Sequence, residues 1–195
     1  MTTKQLKKLI GSMLVMLFVM QVSVAQTYTL NNATSSLQVD GTSNLHDWDI
    51  KAENQKGKLT VTLDNGKVTE IKDLSFTVLT ESLKSGKSGM DKNTYKALNA
   101  KKYKDITFKL TNVKSLDCGS SSNCKVTVTG NLTIAGTTKR MDISFDLRTS
   151  GNTITLTGNK KFNMTDFNVE PPTAMFGTVT TGDDVDVVFK STFNK

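Results

Sequence analysis

Histidine is almost absent from this chain: His46 is the only one in 195 residues. A Ser-His-acid triad would have to use it, and the Gly-x-Ser-x-Gly turn that presents such a serine does not occur. With two cysteines and one histidine, soft ligands are too few for a zinc site. A phosphate loop is missing too, because Gly86-Lys87-Ser88 has Glu81 where that loop needs its first glycine. The sequence therefore predicts no catalytic residue, no metal and no cofactor. Proline is scarce, confined to Pro171 and Pro172. Strands elsewhere can pair along their whole length, since proline is what removes a ladder donor. Aromatics make up 7% of the chain, and lysines are scattered singly rather than clustered on a stripe. Both features argue against nucleic acid.

A long apolar run occurs only at the start. Lys4, Lys7 and Lys8 precede a nearly continuous apolar stretch from Leu9 to Val22, followed by Ser23-Val24-Ala25. Basic, apolar and small-residue regions in that order predict a secretory signal peptide over residues 1–25. The stretch is short for a membrane span. The mature domain is then 26–195, and the location expected for it is periplasmic or secreted. Removing the leader lowers the net charge from +7 to +4, because 22 basic residues then face 18 acidic ones. A weak contact with anionic membrane surfaces is compatible with that charge, and nothing in the sequence decides between monomer and homodimer. Cys118 and Cys124 bracket Gly-Ser-Ser-Ser-Asn between two strand-like runs. In an exported protein this predicts a disulfide closing a hairpin loop.

What is abundant is alternation. Leu59, Val61 and Leu63 alternate with polar residues, as do Leu74, Phe76 and Val78, and Ile106, Phe108 and Leu110. The pattern continues through Val126, Val128, Leu132 and Ile134, then Met141, Ile143, Phe145 and Leu147, and finally Ile154, Leu156, Val185, Val187 and Phe189. Period two over so many runs means antiparallel strands with one buried face. Asn65-Gly66, Ala135-Gly136 and Ser150-Gly151-Asn152 mark hairpin reversals. Gly182-Asp183-Asp184 is expected to introduce the last strand. Met90 to Ala100 instead has helical spacing, with Met90, Thr94, Tyr95 and Leu98 near one face and Ser88 or Asp91 as cap. Residues 165–176 read as an irregular apolar segment that folds over a core or covers an opening. The fold class expected is all-β, an antiparallel barrel of about eight strands with one short inserted helix. A two-sheet sandwich is the alternative, and pattern alone does not separate them.

The order of motifs resembles that of the YceI-like family. Tyr28-Thr29-Leu30 with Ser36-Leu37-Gln38-Val39 resembles its opening strand, and Gly41-Thr42-Ser43-Asn44-Leu45-His46-Asp47-Trp48 its following segment. Leu83-Lys84-Ser85-Gly86 and Tyr95-Lys96-Ala97-Leu98 resemble its loop and helix. Tyr103-Lys104-Asp105-Ile106-Thr107-Phe108 is similar to its Tyr/Phe-x-x-Ile-x-Phe strand. Gly130-Asn131-Leu132-Thr133-Ile134-Ala135-Gly136-Thr137-Thr138-Lys139 is similar to its most recognisable run, and Met164-Thr165-Asp166-Phe167 with Gly182-Asp183-Asp184-Val185 resembles its closing pair. Lys104-Asp105 stands where many members carry proline, and Asp166-Phe167 lacks the flanking Arg and Gly common there. The resemblance implies a lipocalin-like barrel with an elongated apolar interior. It also implies a ligand such as a polyisoprenoid, a quinone-like molecule or a fatty-acid-like chain.

The residues expected to meet that ligand are Trp48, Phe76, Met90, Tyr95, Phe108, Met141, Phe145, Phe162, Phe167, Met175 and Phe176, with His46 at the polar head group. Each has a plainer reading. The aromatics and methionines also serve as core filling, and His46-Asp47-Trp48 also reads as a turn into a strand. Gly130, Ala135 and Gly158 either leave room inside or mark bends. Three functions follow: a lipid-binding protein, a filled barrel acting as a structural or stress-related interaction module, and, least supported, an enzyme acting on a bound lipid through His46.

Overall fold

The computed structural model describes residues 25–119 and 122–195. The expected signal peptide lies, but for Ala25, outside the described residues. Twelve strand segments are described: β1 (Ala25–Leu30), β2 (Ser36–Ser43), β3 (Trp48–Ala52), β4 (Gln55–Asp64), β5 (Lys67–Leu79), β6 (Leu83–Lys84), β7 (Asp105–Asp117), β8 (Asn123–Ile134), β9 (Thr137–Ser150), β10 (Thr153–Asn163), β11 (Thr173–Ala174) and β12 (Val179–Asn194). One α-helix, α1 (Ser88–Ala97), lies between β6 and β7.

The segments group into eight staves of a closed barrel. The chains of β1 and β2, of β3 and β4, and of β5 and β6 each run on through a bend as one bent stave. Every pairing is antiparallel: β1 with β4, β4 with β5, β5 with β7, then β7–β8–β9–β10–β12 in order. The ring closes where β12 pairs with β1 at Leu30↔Phe193 and with β2 from Lys190 to Thr181. Closure removes the free edges that an open sheet would expose. Asn32 staples two of the bends together. Its side chain accepts from the Gln55 N–H at 2.8 Å and donates to the Glu53 carbonyl at 2.8 Å.

The hairpins follow their turn residues. Asn65 and Gly66 both take positive φ, 48° and 79°, as do Ala135 and Gly136, at 47° and 80°. Mirror-image turns of this kind match the twist of the strands they join. Two boundaries differ from the sequence reading. The helix starts at Ser88 with Lys87 at its N-cap, and no side chain caps it. The Asp91 carboxylate instead accepts from the Ser85 backbone N–H (2.8 Å) and hydroxyl (2.7 Å), tying the helix to the preceding loop. The last strand begins at Val179, before Gly182, and crosses an irregular register between Thr181 and Val185. Cys118 and Cys124 are disulfide-bonded between β7 and β8.

The interior is unequal along its axis. At one end Leu59, Val61, Val128, Leu147, Ile154 and Phe193 are completely buried, and Tyr28 is nearly so. Burying one such side chain contributes about 1.5–3 kcal/mol, so this end holds the barrel together. Desolvation there raises the Tyr28 phenol above its ordinary pKa. Both cysteines pack against this cluster. At the other end two smaller buried groups, around Ile50, Val78 and Leu83 and around Ile134, Phe167 and Val169, are joined by partly buried inward side chains, and α1 and the segment between β10 and β12 lie across them.

Candidate functional site

The inward residues of this end enclose a cavity of about 810 Å³. That size lies within the range of small-molecule sites, ~300–1,000 Å³. Leu74, Val128, Phe145, Leu156 and Phe193 belong both to the packed cluster and to the cavity lining, and so form its floor. Alternation dictates the walls. Leu37 and Val39 of β2, Ile106 of β7, Leu132 of β8 and Val187 of β12 face inward at every second position. The interior is therefore neither hollow throughout nor solid throughout: side chains fill one end and leave the other open.

The sequence-predicted residues divide between the two ends and the outside. Trp48, Phe76, Phe108 and Phe145 line the walls and floor. Met90 from α1, with Phe162, Phe167 and Met175 from the far side, lines the upper part. Phe167 is fully buried and meets Phe162 edge-to-face at 5.2 Å between centroids. His46 also lines the cavity near its mouth, with Nδ1 2.7 Å from the Asp47 carbonyl.

Three of the predicted residues lie elsewhere. Tyr95 does not reach the cavity, because its hydroxyl has polar partners on β6 and the turn before it. That oxygen is 2.9 Å and 2.8 Å from the carbonyls of Glu81 and Leu83, and it accepts a 2.6 Å bond from Lys84 Nζ. This bond is the main cause of a raised Lys84 pKa. Met141 packs against Ile134, Phe167 and Val169 beneath the turn at Met164–Phe167. Phe176 points away from the barrel and is fully exposed. It lies in a run of positive φ, 50° at Met175, 56° at Phe176 and 90° at Gly177.

Two glycines serve the site by giving way to rings. A Cβ on Gly41 would overlap the Trp48 indole, and one on Gly130 would overlap the Phe108 ring. Gly130 thus leaves room inside, and an aromatic wall residue takes that room. Trp48 is fixed further by its indole N–H, which donates to the Thr42 carbonyl at 2.9 Å.

The mouth is built by three segments: the turn at residues 43–47, the N-terminal half of α1, and the insert at 164–178. Asn44, to which the sequence reading gave no role, joins the first to the third. Its side chain donates to the Thr178 carbonyl at 3.0 Å and accepts from the Thr180 N–H at 2.9 Å. Its backbone N–H donates to the Thr180 carbonyl at 3.1 Å. No residue pattern marks such a bridge, which spans 134 positions. Among the described residues no cluster of His, Cys, Asp and Glu is arranged to hold a metal.

The barrel is similar to solved structures. BcnA of Burkholderia cenocepacia shares 18% identity at a TM-score of 0.65, covering 84% of this chain and 98% of that one. A polyisoprenoid binding domain from Saccharophagus degradans, implicated in plant cell wall breakdown, shares 13% at 0.65, covering 86% and 97%. The YceI protein of Campylobacter jejuni shares 21% at 0.55, covering 75% and 84%. No functionally curated protein is similar enough to match. Residues 28–193 match the family described as YceI-like domain, and with nearly the whole barrel inside that match the chain belongs to the YceI-like family.

Proposed function

We propose that this protein binds a long-chain apolar lipid, an isoprenoid, quinone-like or fatty-acid-like molecule, with its chain in the cavity and its head at the mouth. The observation that carries the reading is the floor: a packed end beneath an apolar shaft of about 810 Å³. Each methylene moved from water into such a shaft contributes about 0.8 kcal/mol, so chain length alone supplies affinity. The ligand-binding character of the YceI-like family, and the polyisoprenoid binding named for the Saccharophagus degradans relative, support the same class of cargo. The residues assigned to contact are Trp48, Phe76, Met90, Phe108, Phe145 and Phe162, with His46 beside the head group. We assign no catalytic step, since no carboxylate shares the lining with the one imidazole. The protein works in the periplasm or outside the cell, after loss of residues 1–25.

Protein purified from its own host without detergent and extracted with organic solvent should release one lipid per chain, measurable by mass spectrometry. No stoichiometric lipid, together with no uptake of long-chain amphiphiles by the extracted protein, would remove the proposal.

A further inference from the structure

The rim of the mouth exposes large apolar side chains. Leu45 is 67% exposed and Met175 72%, and Phe176 is fully exposed. Leu45 and Met175 also line the cavity, so the greasy rim is continuous with the shaft. The backbone holds Met175 and Phe176 outward. Their φ values are 50° and 56°, followed by Gly177 at 90°. Such a run of left-handed conformations is rarely adopted by residues with side chains and clusters where function requires it. The Asn44 bridges keep Leu45 and the base of the insert together.

Charge in the cavity lining has one sign. The charged side chains in the lining are Lys87, Lys92 and Lys160, and no carboxylate accompanies them. Nearby acids are outside the lining or occupied. Asp47 and Glu170 are exposed in the segments that build the mouth but do not line the cavity. Asp91 is held by Ser85, and Asp183 accepts from the backbone and hydroxyl of Thr165. Apolar side chains projecting beside unpaired lysines match the interfacial layer of a bilayer, where acyl chains lie under anionic phosphates.

We propose that the mouth docks on an anionic lipid bilayer, with Leu45, Met175 and Phe176 inserted among the head groups and Lys87 and Lys92 against the phosphates. Resting on the lipid-binding reading, this gives the cargo a route: a chain leaving the bilayer passes into the cavity without crossing water.

The test is sedimentation of the full-length mature protein with vesicles of phosphatidylcholine alone and of phosphatidylcholine mixed with phosphatidylglycerol. Binding is expected to the anionic vesicles and to weaken as salt is raised. Met175→Ser with Phe176→Ser should weaken it at least about tenfold, and Lys87→Gln with Lys92→Gln should remove its salt dependence. Leu79→Ser and Val188→Ser, at exposed apolar positions away from the mouth (40% and 43%), should leave it unchanged. Equal binding to both vesicle types, no binding, or insensitivity to the rim substitutions would overturn the proposal. So would a dimer in solution that the Phe176 substitution dissolves, since the rim would then cover a second copy. Uptake of a monomeric fluorescent fatty acid is measured on Phe176→Ser alone, since Phe176 is the exposed rim side chain outside the cavity lining. Retained uptake with lost vesicle binding separates docking from cargo binding.

Discussion

At the scale of single residues, the site depends on which side chains stop short of the barrel axis. Val187 faces the cavity from β12, and Val128 closes its floor. Val187→Trp should fill the void and lower affinity for long-chain lipid at least about tenfold, since an indole occupies the space of several methylenes. The melting temperature should change little, because the void accepts the ring. A binding isotherm that matches the parent protein would contradict this placement of the cavity. Gly41 presents the opposite case. Gly41→Ala has no room beside Trp48, so it should destabilise the fold by about 1–3 kcal/mol in a denaturant titration. Most wall residues were legible in the sequence, because period two survives in Phe76, Phe108, Leu132 and Phe145. Tyr95 and Phe176 were not. The first is turned by hydroxyl partners twelve and fourteen residues away, and the second lies in an irregular left-handed run that follows no strand or helix period. Neither cause leaves a mark in hydrophobic spacing.

At the scale of elements, the strands follow their alternation except where bulges shift it. In β7 the alternation of Ile106, Phe108 and Leu110 breaks beyond Leu110, because the next inward residues, Val113 and Leu116, are three apart rather than two. Register shifts between Leu110 and Asn112 and between Val113 and Ser115 explain the change of step. The helix was legible in type and within a few residues in extent. Its anchoring was not, since the Asp91 tie to Ser85 is a matter of loop geometry. That tie makes a pH prediction. The Ser85 hydroxyl, then the Ser85 backbone N–H, hold the Asp91 carboxyl below its ordinary pKa. A depressed folded value means the tie contributes fully above the ordinary aspartate range and is lost as pH falls through the folded value. The Ser85 amide resonance followed in an acid titration should therefore have its midpoint below that range. A midpoint at or above it would show that the tie does not form. Asp91→Asn should speed amide exchange in α1 while leaving the strands protected.

At the scale of the whole molecule, the barrel separates stability from binding. The closed end carries most of the fully buried side chains and the Cys118–Cys124 bond, and the open end carries the cavity and the mouth. Replacing both cysteines by serine should cost about 2 kcal/mol of stability, as expected for so short a loop, and leave lipid affinity unchanged. Antiparallel strands were legible in the sequence, whereas closure was not, because alternation fits a two-sheet sandwich equally well and only the family resemblance pointed to a barrel. The division into a packed and a hollow end was not legible either, because inward positions read alike whether opposing side chains meet or fall short. The central claim is that an apolar shaft with a floor reads chain length. Titration of lipid-free protein with a series of straight-chain fatty alcohols measures this directly. Affinity should rise about fourfold per methylene until the chain reaches the floor, then level off. An affinity indifferent to chain length would contradict the account.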